Sequence, residues 1–245
     1  MTLSNPLFCT IKFPKMKYCA MVLLLLAGCT QPPKESEKEL TKDDHIVEIT
    51  LLQMNDVYEI GPVYGGAYGG FARVKTLLDD LKEDNPNTIS IFAGDALSPS
   101  ALGTAYLDGE KVAGKQMVDV LNKIGLDYFV LGNHEFDLTE EQLRKRLSEA
   151  KFKVIADNVL DKQGKLFPNT DSNVVANIEG VKIRLLGLTL DNYNKAKKIS
   201  DITNPNATAK HLLNTSGKEA DIVIAVTHQS LSEDIELAEA EPRIH

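Results

Sequence analysis

Apolar residues fall along this chain in two rhythms that alternate. Ile46 to Gln53 (IVEITLLQ), Thr88 to Ala93 (TISIFA) and Asp221 to Thr227 (DIVIAVT) are short and nearly continuously apolar, the pattern of buried strands. Tyr128 to Leu131 and Lys153 to Ala156 read as shorter strands, and Val174 to Ile178 and Val181 to Leu188 as two more, joined by a Glu-Gly turn. Between them the spacing becomes helical. Gly70 to Lys82 sets Phe71, Val74, Leu77, Leu78 and Leu81 on one side, and Lys115 to Ile124 forms a second helix. Thr139 to Ala150 has an acidic first turn behind Thr139 as cap, and a further helix is expected near Ala207 to Leu213. Strands alternating with helices predict an α/β domain with buried sheets.

The first 44 residues do not share this rhythm. Lys12, Lys15 and Lys17 precede an apolar run from Ala20 to Ala27, too short to span a bilayer and built like the core of a secretory leader. The run ends in LAGC, Leu26 to Cys29, which resembles the bacterial lipobox whose cysteine carries the lipid. Met16 offers an alternative start. Residues 30–44 are charged, contain prolines and have almost no large apolar side chain, the composition of a solvated tether. The expected organisation is therefore a leader over 1–29 lipidated at Cys29, a tether over 30–44, and one domain over 45–245. Such a protein is exported and anchored by lipid to a bacterial membrane in the cell envelope.

Composition narrows the chemistry. The three cysteines, Cys9, Cys19 and Cys29, all lie in the leader, so oxygen and imidazole must do the work in the domain. A net charge of −8 disfavours binding to a nucleic-acid backbone, which needs a basic surface, and no nucleic-acid partner is expected. An anionic substrate would have to meet local cations, and bound metal ions supply them.

Four residues with ligating side chains follow predicted strands: Asp56, Asp95, Asn133 and His228. The C-terminal edge of the strands is where α/β folds gather ligands, so four strand ends are expected to share one cleft. Asp56 in Asn55-Asp56 and Asp95 in Gly94-Asp95 are each weak signals alone, since aspartate after a strand is a common turn residue. GNHEFD, Gly132 to Asp137, is stronger. Asn133 offers a neutral amide oxygen to a metal, His134 an imidazole able to move a proton, and Asp137 a carboxylate to orient that ring. In GGFAR, Gly69 to Arg73, the glycines admit close packing, and Arg73 is expected to form a structural salt bridge more readily than to bind phosphate.

Together, ND, GGFAR, AGD, GNHEFD and VTH (Val226 to His228) resemble the N-terminal domain of the calcineurin-like metallophosphoesterases, in particular the secreted 5'-nucleotidase and UDP-sugar hydrolase family, from about Ile46 onward. The resemblance implies a four-layer α/β/β/α sandwich and a phosphoester hydrolase acting on nucleotides or other phosphoesters. Two divalent ions (Mn, Zn, Mg, Co or Ca) would activate water for attack on phosphorus. By motif, Asp56 would bind the first metal, Asp95 bridge both, Asn133 and His228 bind the second, and His134 with Asp137 form the catalytic pair.

Two departures qualify this. The family's first motif usually carries a histidine where this chain has Tyr58, and a phenol with an ordinary pKa of about 10 is a poor ligand near neutral pH. Water or Glu59 would have to substitute. The family's GHxH motif, whose histidines reach both metals, is not found before His245, so the sandwich is expected to be incomplete at its C-terminus. The expectation is one well-held ion and low activity. The alternative is a catalytically silent lipoprotein that keeps the fold as a binding surface.

Overall fold

The computed structural model describes residues 9–14, 46–216 and 220–245; Cys29 and the tether lie outside the described residues. The larger sheet contains β1 (Cys9–Pro14), β2 (Ile46–Met54), β3 (Thr88–Ala93), β4 (Tyr128–Val130), β5 (Lys153–Ile155) and β6 (Thr170–Asp171), in that spatial order. The strands β2 to β6 run parallel, and β1 pairs antiparallel along the outer edge of β2. The residues of β1 come from the stretch read above as leader. A second sheet holds β7 (Val174–Ile178), β8 (Val181–Thr189) and β9 (Ile222–His228), with β7 and β8 antiparallel and β8 and β9 parallel. The β7–β8 turn is made at Glu179 and Gly180, both with positive φ.

Among the described residues, five α-helices complete the layers: α1 (Phe71–Asp84), α2 (Lys115–Ile124), α3 (Glu140–Glu149), α4 (Pro205–Ser216) and α5 (Leu231–Ala240). Side-chain alternation assigns each strand's two faces. In β3, Ile89, Ile91 and Ala93 point to the core between the sheets, while Phe92 points to the core under α1 to α3 with Met117, Leu121, Phe129 and Leu143. In β8, Ile183 and Leu185 face the larger sheet, whereas Leu186 and Leu188 pack with Ala209, Leu213 and Leu237 of α4 and α5. Three cores thus separate four layers, helix, sheet, sheet, helix, as the resemblance implied.

Local signals explain most boundaries. Thr139 accepts from the Gln142 N–H while the Gln142 side chain returns to the Thr139 N–H, a capping box that starts α3. The helix α5 begins with the same device, Ser230 with Glu233. The sequence reading did not predict α5, although that serine and glutamate stand at the right spacing. Short hairpins, such as Pro62–Val63 with Tyr68–Gly69, were also not predicted; two-residue strands leave no periodicity to read.

Candidate metal centre and acid–base pair

The parallel strands deliver the expected residues to one edge. Asp56 follows β2, Asp95 follows β3, Asn133 follows β4, and His228 is the last residue of β9. Ligand atoms of Asp56, Asp95 and His228 lie within 4.8 Å of one another, across the two sheets. His228 Nε2 is 3.1 Å from Asn133 Oδ1 and 3.4 Å from Asp95 Oδ2. An open cleft of about 470 Å³ adjoins them, lined by Asn55, Asp56, His228 and Gln229 with Ile91, Ile224 and Val226.

The backbone is bent to make this possible. Asp56 and Asp95 both sit at positive φ, 53° and 65°, a left-handed conformation that costs a non-glycine residue energy and is kept where the surroundings enforce it. A Cβ on Gly132 would lie 2.2 Å from Asp95 Oδ1, and one on Gly94, itself at φ 86°, would lie 2.5 Å from His228 Nδ1. Only hydrogen side chains let Asp95 and His228 come this close to the strand ends.

Glu135, given no role by the sequence reading, is wholly buried behind Asp95. Its Oε2 accepts from the N–H groups of Asp95 (2.8 Å) and Gly132 (2.6 Å), and its Oε1 from those of Ala96 (2.7 Å) and Leu97 (2.9 Å). Burial pushes its carboxyl up, and so does the Asp95 charge, while the backbone donors favour the ionised form. Four N–H groups that would otherwise be orphaned are satisfied by one side chain, and this locks the β3 and β4 loops together.

The donor set fits a divalent cation. His228 Nδ1 is 2.8 Å from the Ala93 carbonyl oxygen, so this nitrogen carries a proton, and a neutral ring would turn a lone pair on Nε2 toward two oxygen acceptors. Three acceptors facing one another need positive charge between them. A second ring proton supplies it in the absence of metal: burial opposes the charge, but the Asp95 carboxylate and the Ala93 carbonyl outweigh it and push His228 up to about 9. A metal ion supplies the charge with the ring neutral, and imidazole with hard oxygens suits Zn, Mn or similar ions. Asp95 is the better prepared carboxylate. Burial raises its pKa, but hydrogen bonds from His228, the His134 N–H and Tyr58 outweigh burial and hold it below the usual range.

Tyr58 donates to Asp95 Oδ2 at 3.0 Å and to Asp56 Oδ1 at 3.2 Å. Burial, the Asp95 hydrogen bond and the two carboxylate charges all push its phenol up, so it stays a neutral donor and not an anionic ligand. Glu59 is exposed and is not part of the metal-ligating group.

His134 and Asp137 occupy one 3₁₀ turn, His134–Asp137, where residues three apart eclipse. That geometry puts His134 Nδ1 2.8 Å from Asp137 Oδ2. The other carboxylate oxygen accepts from Tyr193 OH and Lys195 Nζ, two residues that sequence reasoning missed because nothing in LDNYNKAK marks them. Arg73 corrects an expectation: it forms no ion pair among the described residues and instead donates to the carbonyls of Gly69 (2.9 Å) and Gly66 (2.5 Å), bracing the loop before α1.

Comparison with known proteins identifies the family. Residues 49–243 match the family model described as calcineurin-like phosphoesterase. The 5'-nucleotidase of Vibrio vulnificus is 30% identical over 234 residues, 90% of this chain and 40% of that protein. The NAD 5'-nucleotidase of Haemophilus influenzae is 28% identical over 219 residues, 82% of this chain and 35% of that one. The chain therefore spans about 40% or less of the length of these curated relatives. Among solved structures, the Haemophilus influenzae NAD nucleotidase superposes with a TM-score of 0.66 at 26% identity, covering 78% of this chain and 36% of its own. The 5'-nucleotidase precursor of Thermus thermophilus gives 0.65 at 25% identity, covering 78% and 39%. With the family model matching residues 49–243, most of the chain, it belongs to the calcineurin-like phosphoesterases.

Proposed function

We propose that this domain is a metal-dependent phosphoester hydrolase of the 5'-nucleotidase type, acting on nucleotides, with Asp56, Asp95, Asn133 and His228 as metal ligands and His134 and Asp137 as the acid–base pair. The observation that carries the proposal is the convergence of acceptor atoms at His228 Nε2, Asp95 Oδ2 and Asn133 Oδ1 beside a carboxylate-held histidine.

Divalent ions, when bound, supply Lewis acidity toward a phosphoryl group and make water nucleophilic near neutral pH. The protein's own residues do the rest. Asp137 holds the proton on His134 Nδ1, which leaves Nε2 to face a substrate, and the side chain of His134 is one-third exposed, open to the solvent from which a substrate comes. As an imidazolium, with Nδ1–H kept by Asp137, it can donate from Nε2–H to a phosphoryl oxygen and hand that proton to a leaving alkoxide, which returns the ring to its neutral form. Glu135 keeps Asp95 from moving as charge builds.

The set is uneven. His228, Asn133 and Asp95 make one compact position, and Tyr58 takes the place of a ligand at the other, so we expect one tight ion and a weaker second. Two tight sites in a manganese titration would refute this. Export with a lipid on Cys29 belongs to the same proposal on the strength of LAGC; labelled fatty acid incorporated equally into Cys29→Ala would refute it.

The test of the main proposal is hydrolysis of AMP and of p-nitrophenyl phosphate with manganese. His134→Ala is expected to lower kcat by about 10²–10⁴-fold, the usual worth of a general acid or base. Activity indifferent to both His134→Ala and Asp95→Ala would remove the enzyme reading. A second reading, a silent binding domain, is favoured by one observation: the Tyr58 phenol already bridges Asp56 and Asp95.

A further inference from the structure

Asp137 has two carboxylate oxygens and three partners. Oδ2 lies 2.8 Å from His134 Nδ1, while Oδ1 accepts from Tyr193 OH at 2.6 Å and from Lys195 Nζ at 2.7 Å. Both donors come from the loop after β8, 56 and 58 residues beyond Asp137. That loop is anchored: Ala196, next to Lys195, is buried in the core under α1 to α3, and its carbonyl accepts from Ser200 Oγ at 2.8 Å. The Tyr193 ring also packs against the His134 imidazole, centroids 5.5 Å apart, and the Lys195 ammonium lies 5.9 Å from the Tyr193 ring centroid.

We propose that Tyr193 and Lys195 are positioning residues for the acid–base pair, a two-donor clamp that fixes the Asp137 carboxylate and so aims His134 at the substrate. The inference rests on the function proposed above. An aspartate side chain ends in a broad, roughly two-fold torsion, so one hydrogen bond to a ring leaves the carboxylate able to swivel. Engaging Oδ1 twice removes that freedom, and the Tyr193 ring blocks one side of the imidazole. The clamp also has an electrostatic effect. Asp137 stands where an anionic phosphoester would approach His134, and the Lys195 ammonium in contact with it balances its charge. Burial pushes the Asp137 carboxyl up, but the hydrogen bonds from Lys195, Tyr193 and His134 outweigh burial and keep it ionised. The arrangement is asymmetric in the way a clamp requires: the Asp137 side chain is 12% exposed and Lys195 57%, so the held group is the buried one.

The test uses the full chain with manganese and p-nitrophenyl phosphate. Tyr193→Phe and Lys195→Ala are each expected to lower kcat about tenfold, and the double variant about a hundredfold, the scale of a misaligned catalytic group. KM and manganese affinity should stay within about twofold, as expected when the lost interaction acts on the transition state alone. Lys195→Arg, which can still donate to Oδ1, should recover most of the rate. An independent readout is the His134 Nδ1 proton in ¹H–¹⁵N spectra of the imidazole. It should be sharp and far downfield in the unaltered protein, and should broaden or move upfield in the double variant. An unchanged kcat in the double variant, or manganese affinity falling in step with kcat, overturns the clamp. If the unaltered chain hydrolyses nothing, the function reading fails alone; the imidazole signal still decides, and an unmoved proton in the double variant Tyr193→Phe with Lys195→Ala overturns the clamp as well.

Discussion

Asp56 and Asp95 are the same chemical group at the ends of adjacent parallel strands, both at positive φ, yet they are held very differently. Asp95 is 2% exposed; its carboxylate accepts from the His134 N–H and Tyr58 OH, and its backbone N–H is gripped by Glu135. Asp56 is exposed, tied by its own N–H to the Gly94 carbonyl at 3.1 Å, with its carboxylate facing Asn55 and Tyr58. One carboxylate is already organised. On the proposed function, the other would have to be ordered by an ion, and that entropy would be subtracted from its contribution. The difference teaches that the same residue at two strand ends does not make two equally prepared carboxylates.

If the proposed metal centre holds, the largest effect should come from removing Asp95, the organised carboxylate. Asp95→Ala should weaken manganese binding by more than the roughly 10–100-fold lost when a group behind a ligand is changed, and Asp56→Ala by less. Calorimetric titration of the two variants measures both, and equal losses would erase the distinction. Next comes the strut. Glu135→Gln replaces two acceptors by one and points an amide N–H₂ at backbone donors, leaving about two buried N–H groups unsatisfied at roughly 1–3 kcal/mol each. Its thermal unfolding midpoint should fall and its metal affinity should fall with it; a variant as stable and as tight as the parent would show that Glu135 is a bystander.

Protonation offers a smaller lever. His228 is raised from 6.5 to about 9 in the metal-free protein, so its stabilising contribution is complete below about 6.5 and is lost as pH rises toward 9. The side chain is 11% exposed, and solvent screening leaves on the order of 2 kcal/mol of this difference. Denaturant midpoints of the metal-free protein should decline over that window, and saturating manganese should flatten the decline by holding a neutral ring. A decline identical with and without metal would mean that His228 does not touch the ion.

The groups that hold Asp95 and Asp137 in place were less legible in the sequence than the residues they hold. Asp56, Asp95, Asn133 and His228 could be found because each follows an apolar run, and strand ends can be read from periodicity. His134 and Asp137 are three residues apart, so one local turn joins them. Glu135, Tyr193 and Lys195 act across long separations: Glu135 takes the N–H groups of Asp95, Ala96 and Leu97 from 38 to 40 positions away, besides that of nearby Gly132, and the two clamp donors cross 56 and 58. No local pattern announces such contacts. Of the elements, α5 was legible through Ser230 and Glu233 and was overlooked, whereas the two-residue strands carry too few side chains to show a period. Arg73 was misjudged because a cation beside a cleft suggests an anion, while the glycine-rich loop next to it presented unpaired carbonyls instead.

Tyr58 is where the two halves meet, and changing it is the finest test of their difference. Its hydroxyl donates to one oxygen of each aspartate, so it supplies with a partial charge some of what a cation would supply with a full one. Tyr58→His exchanges this donor for an imidazole that can present a lone pair, the ligand type that the family's motif usually has there. The Asp56 side then gains a nitrogen donor, although its exposed carboxylate still has to be ordered. We expect the weaker manganese site to tighten by about tenfold, near 1.4 kcal/mol, with the tighter site little altered because His228 and Asn133 are untouched. Tyr58→Phe separates the causes. It removes the donor without adding a ligand, so it should release the two carboxylates to repel each other and leave the weak site unimproved. If Tyr58→Phe tightens the site as much as Tyr58→His, the phenol was a competitor for the carboxylates and the missing ligand is immaterial; if neither changes it, Asp56 is not a metal ligand and the asymmetry between the two strand ends is one of position alone.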